Sequence, residues 1–172
     1  MKPILICLYG PESTGKSTLA RKMAERYHTE YVPEVAKEMI SSNNFTAEDI
    51  VRIGRAQTDR ILQKAATANR VLFCDTDVIT TSIYSEVYLG MAPKILGDFE
   101  QEVKFDQYFL FDIDVPWVPD GLRDLGEKRV EMYERFKIEL ERRKIPYMRV
   151  SGSYEDRERK VIQVVDKLLA RT

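Results

Sequence analysis

The sequence predicts a three-layer α/β fold in which a five-stranded parallel sheet is flanked by helices. Short apolar runs alternate with longer amphipathic segments, which is the pattern of parallel strands joined by crossover helices. The runs are apolar throughout, as expected of strands that are covered on both faces. No repeat, low-complexity tract or linker rich in Gly, Ser and Pro divides the chain of 172 residues. One domain spanning residues 1–172 is therefore expected.

Each strand is predicted from an apolar run, and each helix from an amphipathic stretch between the runs. The strands are expected at residues 4–8, 31–32, 71–74, 108–111 and 147–150. The helices are expected from 16 to about 27, 46 to about 68, about 78 to 89, 127 to 143, and 154 to 169. Thr46 is a candidate N-cap, with Asp49 at the capping-box position three residues on. Apolar side chains recur at helical spacing from Val161 to Leu169, which indicates that the last helix packs against the core.

Charge and cysteine content indicate which binding partners and which cellular compartment the sequence suits. The 27 basic and 28 acidic side chains leave a formal net charge of −1. Binding to nucleic acid is not expected, because it needs a basic face that displaces counterions. No stretch approaches the roughly 20 apolar residues of a membrane span, and the first apolar run is too short for a signal peptide. Cys7 and Cys74 lie in apolar runs, which indicates small buried side chains in a reducing, cytoplasmic compartment.

The sharpest motif is GPESTGKS at residues 10–17, which fits the phosphate-binding pattern G-x-x-x-x-G-K-[ST]. An apolar strand precedes it and an amphipathic helix follows it, which favours a phosphate loop over a chance glycine turn. The glycines let backbone N–H groups turn toward phosphate oxygens, and the helix adds its positive dipole end. Lys16 is expected to reach the β- and γ-phosphates, and the Ser17 hydroxyl to bind Mg²⁺. The residues expected to bind ATP are Gly10, Glu12, Ser13, Thr14, Gly15, Lys16, Ser17 and Thr18.

Two carboxylates follow the third predicted strand, at Asp75 and Asp77. An acid at the C-terminal end of a parallel strand lies beside the ligand crevice, and in phosphate-loop proteins it holds Mg²⁺. Asp75 is therefore the expected second metal ligand, with a turn or cap acid as the alternative. Asp77 can face the site and contact the substrate if the chain turns there, or it can N-cap the next helix.

The phosphate acceptor is expected to contact residues from the second strand and the long helix. Glu34 follows the second strand and can hold a sugar hydroxyl, or it can be a first-turn helix acid beside Pro33. Arg55 and Gln57 can reach the acceptor pocket from the helix, or they can lie on its solvated face.

The segment 115–126 carries two prolines, two glycines and the only tryptophan, which indicates a structured loop. We expect it to act as a lid. Arg123 can neutralise charge on the transferring phosphoryl group, or it can pair with a neighbouring aspartate. Trp117 offers a flat ring for a cationic or aromatic ligand, or it can anchor the core.

Three motifs together resemble the ribosylnicotinamide kinase domain, which forms the C-terminal part of bacterial NadR-type NAD-biosynthesis proteins. They are residues 10–17, CDTDVITT at 74–81 and WVPDGLRDLG at 117–126. The resemblance runs over nearly the whole chain, and the second and third motifs are far more specific than the first. It implies a P-loop kinase core with strand order 2-3-1-4-5, and phosphorylation of nicotinamide riboside by ATP to nicotinamide mononucleotide. Adenylyltransferase and DNA-binding activities of the multidomain members are not expected here.

The resemblance also implies roles for individual residues. Lys16 and Ser17 would serve the triphosphate and magnesium, and Asp75 the metal and the acceptor hydroxyl. Trp117 and Asp120 would lie near the riboside, and Arg123 on the lid.

The sequence thus predicts an ATP- and Mg²⁺-dependent kinase whose acceptor hydroxyl attacks the γ-phosphate in line. Asp75 would take or orient the proton, while Lys16, Arg123 and Mg²⁺ stabilise the transition-state charge. Two alternatives remain. One is a kinase for another nucleoside, a nucleotide or a sugar, and the other is a nucleotide-dependent regulatory switch.

Overall fold

A five-stranded parallel sheet in the order β2-β3-β1-β4-β5 forms the centre of the computed structural model, which describes residues 2–119, 122 and 124–172. The strands are β1 (Ile4–Tyr9), β2 (Tyr31–Val32), β3 (Val71–Asp75), β4 (Gln107–Phe111) and β5 (Tyr147–Val150). Leu8 of β1 lies opposite both Asp75 of β3 and Phe109 of β4. The carboxyl ends of the three central strands therefore lie side by side. The predicted fold class and strand order are confirmed.

Seven helices are described: α1 (Lys16–Arg26), α2 (Ala36–Met39), α3 (Ala47–Ala65), α4 (Val78–Leu89), α5 (Ile95–Glu102), α6 (Arg129–Arg142) and α7 (Tyr154–Leu169). The predicted capping box of α3 is confirmed, because the Asp49 N–H donates to Thr46 Oγ1 at 3.2 Å and the Thr46 N–H donates to the Asp49 carboxylate at 2.8 Å. The start predicted for α6 was wrong by two residues, since a 3₁₀ turn occupies Gly126–Lys128. The short helices α2 and α5 were not predicted.

The core lies in layers on the two faces of the sheet. On one face, α1 and α7 pack against alternate strand residues such as Ile6 and Phe109. On the other face, α4 and α6 cover Cys7 and Leu110, and α3 covers Leu72. The predicted burial of Cys7 and Cys74 as free thiols is confirmed. None of the helices in the described ranges combines the length and apolar character needed to cross a bilayer.

Candidate active site

The phosphate loop joins β1 to α1 and is held open by two glycines with positive φ. Gly10 has φ 140°, and a Cβ there would lie 2.9 Å from the Phe111 carbonyl oxygen. Gly15 has φ 89°, and a Cβ there would lie 3.0 Å from the Tyr154 ring. Both positions therefore require glycine for two reasons, backbone conformation and the close approach of a neighbour.

The Lys16 side chain is buried inside the loop that precedes it. Its ammonium group donates to the Pro11 carbonyl at 2.6 Å and to the Thr14 hydroxyl at 3.3 Å. Thr14 Oγ1 also donates to the Pro11 carbonyl, at 2.9 Å. These contacts hold a positive charge at the centre of the turn, where the loop motif predicts a phosphate.

Ser17 and Asp75 meet across the gap between α1 and β3. The Ser17 hydroxyl donates to Asp75 Oδ2 at 2.5 Å. Asp75 is 1% exposed, and its Oδ1 has no hydrogen-bond partner in the part of the chain that the structure describes. The two predicted metal ligands are thus brought together, and one buried carboxylate oxygen remains available to a ligand.

Asp77 points away from this site. Thr76, between the two acids, has φ 77°, and this left-handed residue sends the two carboxylates in different directions. Asp77 caps α4 by accepting from the Thr80 N–H at 3.1 Å, and it accepts from the Tyr108 hydroxyl at 2.7 Å. Burial raises the pKa of Asp77 to about 6. Asp77 does not line the cavity described next, so the structure favours the alternative role of a helix cap.

A cavity opens beside the phosphate loop, between α1, α2, α3 and α4. It brings together the predicted residues of the phosphate loop with Glu34, Gln57 and Asp75. Its other lining residues include Lys37, Ile40, Asn43, Phe45, Ile50, Ile53, Thr76, Thr80, Thr81, Tyr84, Tyr88 and Leu122.

The charged groups in this cavity are mainly acidic at its inner end. Glu34 pairs with Lys37 at 3.4 Å, and the Lys37 ammonium also donates to Ser17 Oγ at 3.4 Å. Burial raises the pKa of Glu34, and the negative charge of Asp75 raises it further. The inner end therefore favours a ligand that carries hydroxyl groups or positive charge over an anionic one.

Aromatic rings form the outer wall of the cavity. Tyr84 and Tyr88, one turn apart on α4, stack with centroids 6.4 Å apart. Phe45 meets the Tyr88 ring edge-on at 5.4 Å. Burial raises the pKa of Tyr84 well above its usual range, so its hydroxyl stays neutral and its ring offers a flat, electron-rich face.

Gln57 and Arg55 occupy opposite faces of α3. Gln57 is 1% exposed and accepts from the Val35 N–H at 2.8 Å through Oε1. Arg55 instead forms a two-pronged ion pair with Glu102 at 2.6 and 2.7 Å, and pairs with Asp59 at 2.7 Å. Arg55 therefore lies against α5, over the Phe99 ring at 4.5 Å, and is not among the lining residues of the cavity.

The described residues of the segment 115–126 contact the phosphate loop and the rim of the cavity. The Val118 N–H donates to Ser13 Oγ at 2.7 Å, and the Leu125 N–H donates to Glu12 Oε1 at 3.1 Å. Asn43 donates to the Leu122 carbonyl at 3.0 Å. Val118 and Leu125 therefore contact the phosphate loop, and Leu122 contacts the rim of the acceptor cavity.

Of the three residues predicted on this segment, one can be located. Trp117 is half-buried and packs against Gly126, where an added Cβ would come within 2.7 Å of the ring. Trp117 is not among the lining residues of the cavity. Asp120 and Arg123 lie outside the described residues.

A second cleft lies on the other side of the phosphate loop. Ser13, Gly15, Val118 and Tyr154 are among its lining residues, with the buried Arg157 at its base. Arg157 is 1% exposed and donates to the carbonyls of Gly152 at 3.0 Å and Thr14 at 3.3 Å. It also pairs with Asp114. The guanidinium thus ties the phosphate loop to the start of α7.

Lys37, Thr76, Tyr84 and Tyr88 are among the residues of the first cavity that sequence reasoning missed. The spacing of the two tyrosines was an available signal, because residues four apart share a helix face. Lys37 offered no signal, since the short helix α2 that carries it was not predicted. The unusual backbone of Thr76 has no signature in the sequence, because positive φ is uncommon for β-branched residues.

Comparison with known proteins places these features in a family. A family model described as "AAA domain" matches residues 5–157. The trifunctional NAD biosynthesis/regulator protein NadR of Escherichia coli (strain K12) is 30% identical over 175 residues, covering 95% of this chain and 42% of that protein. The chain thus spans less than half the length of this curated relative.

Solved structures share the fold at lower identity. The crystal structure of NadR protein in complex with NR aligns with a TM-score of 0.80 and 21% identity, over 95% of this chain and 51% of that one. Deoxyadenosine kinase from M. mycoides aligns with a TM-score of 0.71 and 14% identity, over 95% of this chain and 100% of that one.

Proposed function

We propose that this chain, which belongs to the AAA-domain family, is an ATP-dependent kinase that phosphorylates nicotinamide riboside to nicotinamide mononucleotide. One observation carries the proposal. The phosphate loop and the buried Asp75 meet at the Ser17 hydroxyl, at the edge of a cavity that combines acids with tyrosine rings. The relative from Escherichia coli is named for NAD biosynthesis, and a solved structure of similar fold contains NR. Both support this choice of acceptor.

ATP would bind with its triphosphate in the loop at residues 10–18. Gly10 and Gly15 have positive φ and no side chain, so the backbone can turn toward the phosphates and approach them closely. Lys16 would exchange its contacts with Pro11 and Thr14 for phosphate oxygens, which are stronger acceptors because they are charged. The base would enter the second cleft, between Val118 and Tyr154.

Mg²⁺ fits the residues of the cavity that lie beside the phosphate loop. Ser17 Oγ and Asp75 Oδ2, which meet at 2.5 Å, offer hard oxygen ligands. The described residues contain no cluster of three His, Cys, Asp or Glu side chains that would hold a metal alone. This suits an ion that takes most of its ligands from phosphates and water. When bound, Mg²⁺ supplies neutralisation of charge on the β- and γ-phosphates.

The chain's own residues would position and activate the acceptor hydroxyl. Asp75 would accept a hydrogen bond from the primary hydroxyl of the riboside and take its proton as the hydroxyl oxygen bonds to the γ-phosphorus. The bond between that phosphorus and the β–γ bridging oxygen breaks in the same step, and ADP leaves. Lys16 would stabilise the charge on the transferring group. We assign the same task to Arg123, as the lid arginine. The predicted lid at residues 115–126, whose Val118 and Leu125 donate to Ser13 and Glu12, would keep water away from the reacting atoms.

The acceptor cavity suits a cationic nucleoside. The pyridinium ring of nicotinamide riboside carries a positive charge, which the faces of Tyr84 and Tyr88 attract. The carboxylates of Glu34 and Asp75 would repel a nucleoside monophosphate. Lys37, which lines the same cavity, is already paired with Glu34. A nucleoside acceptor is therefore favoured over a nucleotide one.

A phosphate-transfer assay over a panel of acceptors tests this function. Purified protein with ATP and Mg²⁺ would be incubated with nicotinamide riboside, uridine, deoxyadenosine or thymidine monophosphate, and the products identified by mass. We expect nicotinamide mononucleotide from the first acceptor and little product from the others. Preferred transfer to another acceptor would overturn the assignment of substrate. Hydrolysis of ATP that is indifferent to every acceptor would support the regulatory switch instead.

A further inference from the structure

Three buried polar atoms without a hydrogen-bond partner belong to residues that line the acceptor cavity. They are Asp75 Oδ1, Thr76 Oγ1 and Gln57 Nε2, and the statement holds for the described part of the chain. The three residues are 1%, 3% and 1% exposed. Leaving a buried polar group unpaired is costly, and such groups are rare in native proteins. Their concentration around one cavity points to a ligand that pairs with them.

Thr76 adds a second, independent sign of function. Its φ of 77° is in the left-handed region, which is a genuine outlier for a β-branched residue. The Thr76 N–H donates to the Leu8 carbonyl at 3.0 Å, so the surrounding sheet holds the residue in this conformation. Strained residues of this kind cluster at ligand sites, where the strain positions a side chain.

The three unpaired atoms have complementary hydrogen-bonding capacities. Gln57 uses Oε1 to accept from the Val35 N–H, so its Nε2 can only donate. Asp75 Oδ1 can only accept, while the Thr76 hydroxyl can do both. A sugar bearing several hydroxyl groups matches this set, because each hydroxyl also donates and accepts. A phosphate does not match it, because phosphate oxygens mainly accept and Asp75 would repel them.

We propose that Thr76 and Gln57 recognise the ring hydroxyls of the acceptor's ribose, while Asp75 holds the reacting primary hydroxyl. This inference rests on the proposed function, in that it requires a nucleoside in this cavity. It adds a specificity: the protein selects ribosides over deoxyribosides. The left-handed conformation after β3 positions the Thr76 hydroxyl for this selection. The hydrogen bond from the Val35 N–H positions the Gln57 side chain.

Binding measured by calorimetry tests the inference without depending on turnover. Nicotinamide riboside and its 2′-deoxy analogue would be titrated into the protein in the presence of a non-hydrolysable ATP analogue. We expect Thr76→Gly to weaken riboside binding by about threefold to tenfold, the usual effect of one neutral hydrogen bond. Thr76→Ser keeps the hydroxyl and should restore most of the affinity.

Two further variants isolate the contribution of Gln57. Gln57→Glu keeps the oxygen that accepts from Val35 but loses the donor, so riboside binding should weaken by a similar factor. Gln63→Glu, on the exposed part of the same helix, makes the same chemical change away from the cavity and should bind as the wild type does. The 2′-deoxy analogue should bind more weakly to the wild type, and at least one variant should lose this discrimination.

Stability distinguishes a recognition role from a structural one. Glycine adopts positive φ without strain, so Thr76→Gly should unfold at the same temperature as the wild type or above it. Unchanged riboside affinity in both Thr76→Gly and Gln57→Glu would overturn this inference alone. Full discrimination against the deoxyriboside in both variants would do the same. A wild-type protein that binds no riboside would instead refute the proposed function, and this inference with it.

Discussion

Replacing Asp77 with asparagine separates its two possible roles, helix cap and substrate ligand. Asp77 is 2% exposed and accepts hydrogen bonds from Thr80 and Tyr108. Burial raises its pKa from the ordinary 3.8 to about 6. A difference of roughly 2 pKa units corresponds to about 3 kcal/mol between the two protonation states. Asparagine keeps the shape, caps helices as well as aspartate does, and carries no charge.

The sign of the effect follows from proton binding. Between about pH 4 and pH 6 the folded protein holds a proton on Asp77 that the unfolded chain releases. The contribution of Asp77 to the free energy of unfolding therefore falls as the pH rises through this window, by up to about 3 kcal/mol. The contribution of Asp77 to stability stays low at higher pH. Asp77→Asn does not titrate, so its stability relative to the wild type should increase with pH over the same window.

Urea unfolding followed by circular dichroism, at several values from about pH 4 to pH 7, measures this difference. Asp98→Asn, at an exposed position of α5, removes the same charge without burial and is the matched control. The stability difference for Asp77→Asn should change with pH more than the difference for Asp98→Asn does. Riboside kinetics of Asp77→Asn should match the wild type. A stability difference that does not change with pH would refute this reasoning. A selective rise in KM for the riboside would instead indicate that Asp77 binds the substrate.

The remaining predictions concern the phosphate loop, the carboxylate and the tryptophan. Lys16→Ala should abolish turnover while the unfolding midpoint changes little, and retained turnover would contradict the phosphate assignment. Asp75→Asn should lower kcat by at least about 100-fold in single-turnover assays if the carboxylate takes the proton. Gly10→Ala should lower the free energy of unfolding by about 2 kcal/mol or more, since the new Cβ lies 2.9 Å from the Phe111 oxygen. Trp117→Ala should change KM for ATP and for the riboside by similar factors, because Trp117 does not line the acceptor cavity. A larger effect on KM for the riboside would indicate that Trp117 recognises the acceptor.

The sheet and the phosphate loop could be predicted because their signals are local. The central strands β1, β3 and β4 are runs of residues buried almost throughout, and each boundary is a short polar or glycine-containing segment. The loop motif likewise lies within eight consecutive residues, from Gly10 to Ser17. It binds phosphate largely through backbone N–H groups, whose directions follow from where the glycines stand. Such features depend little on distant parts of the chain.

The direction of a side chain after a strand end was not predictable in the same way. Asp75 and Asp77 are two residues apart and looked equivalent from the sequence. The φ of 77° at Thr76 sends one carboxylate to Ser17 and the other to Tyr108. Nothing about threonine indicates positive φ, because its β-branched side chain disfavours it. The conformation comes from the sheet and from the cap of α4, which together outweigh the local preference.

The acceptor cavity shows the same limit on a larger scale. Its walls come from Glu34, Gln57, the tyrosines of α4 and Leu122, which are far apart in the chain and lie on separate elements. Part of the wall belongs to α2, only four residues long, and such a short helix leaves no periodic pattern to read. Recognition of the acceptor also uses side chains, whose directions depend on how the helices pack. ATP binding is therefore expected to tolerate substitutions in this cavity that change the acceptor. A nucleoside panel run on cavity variants should reveal altered acceptor preference at unchanged KM for ATP.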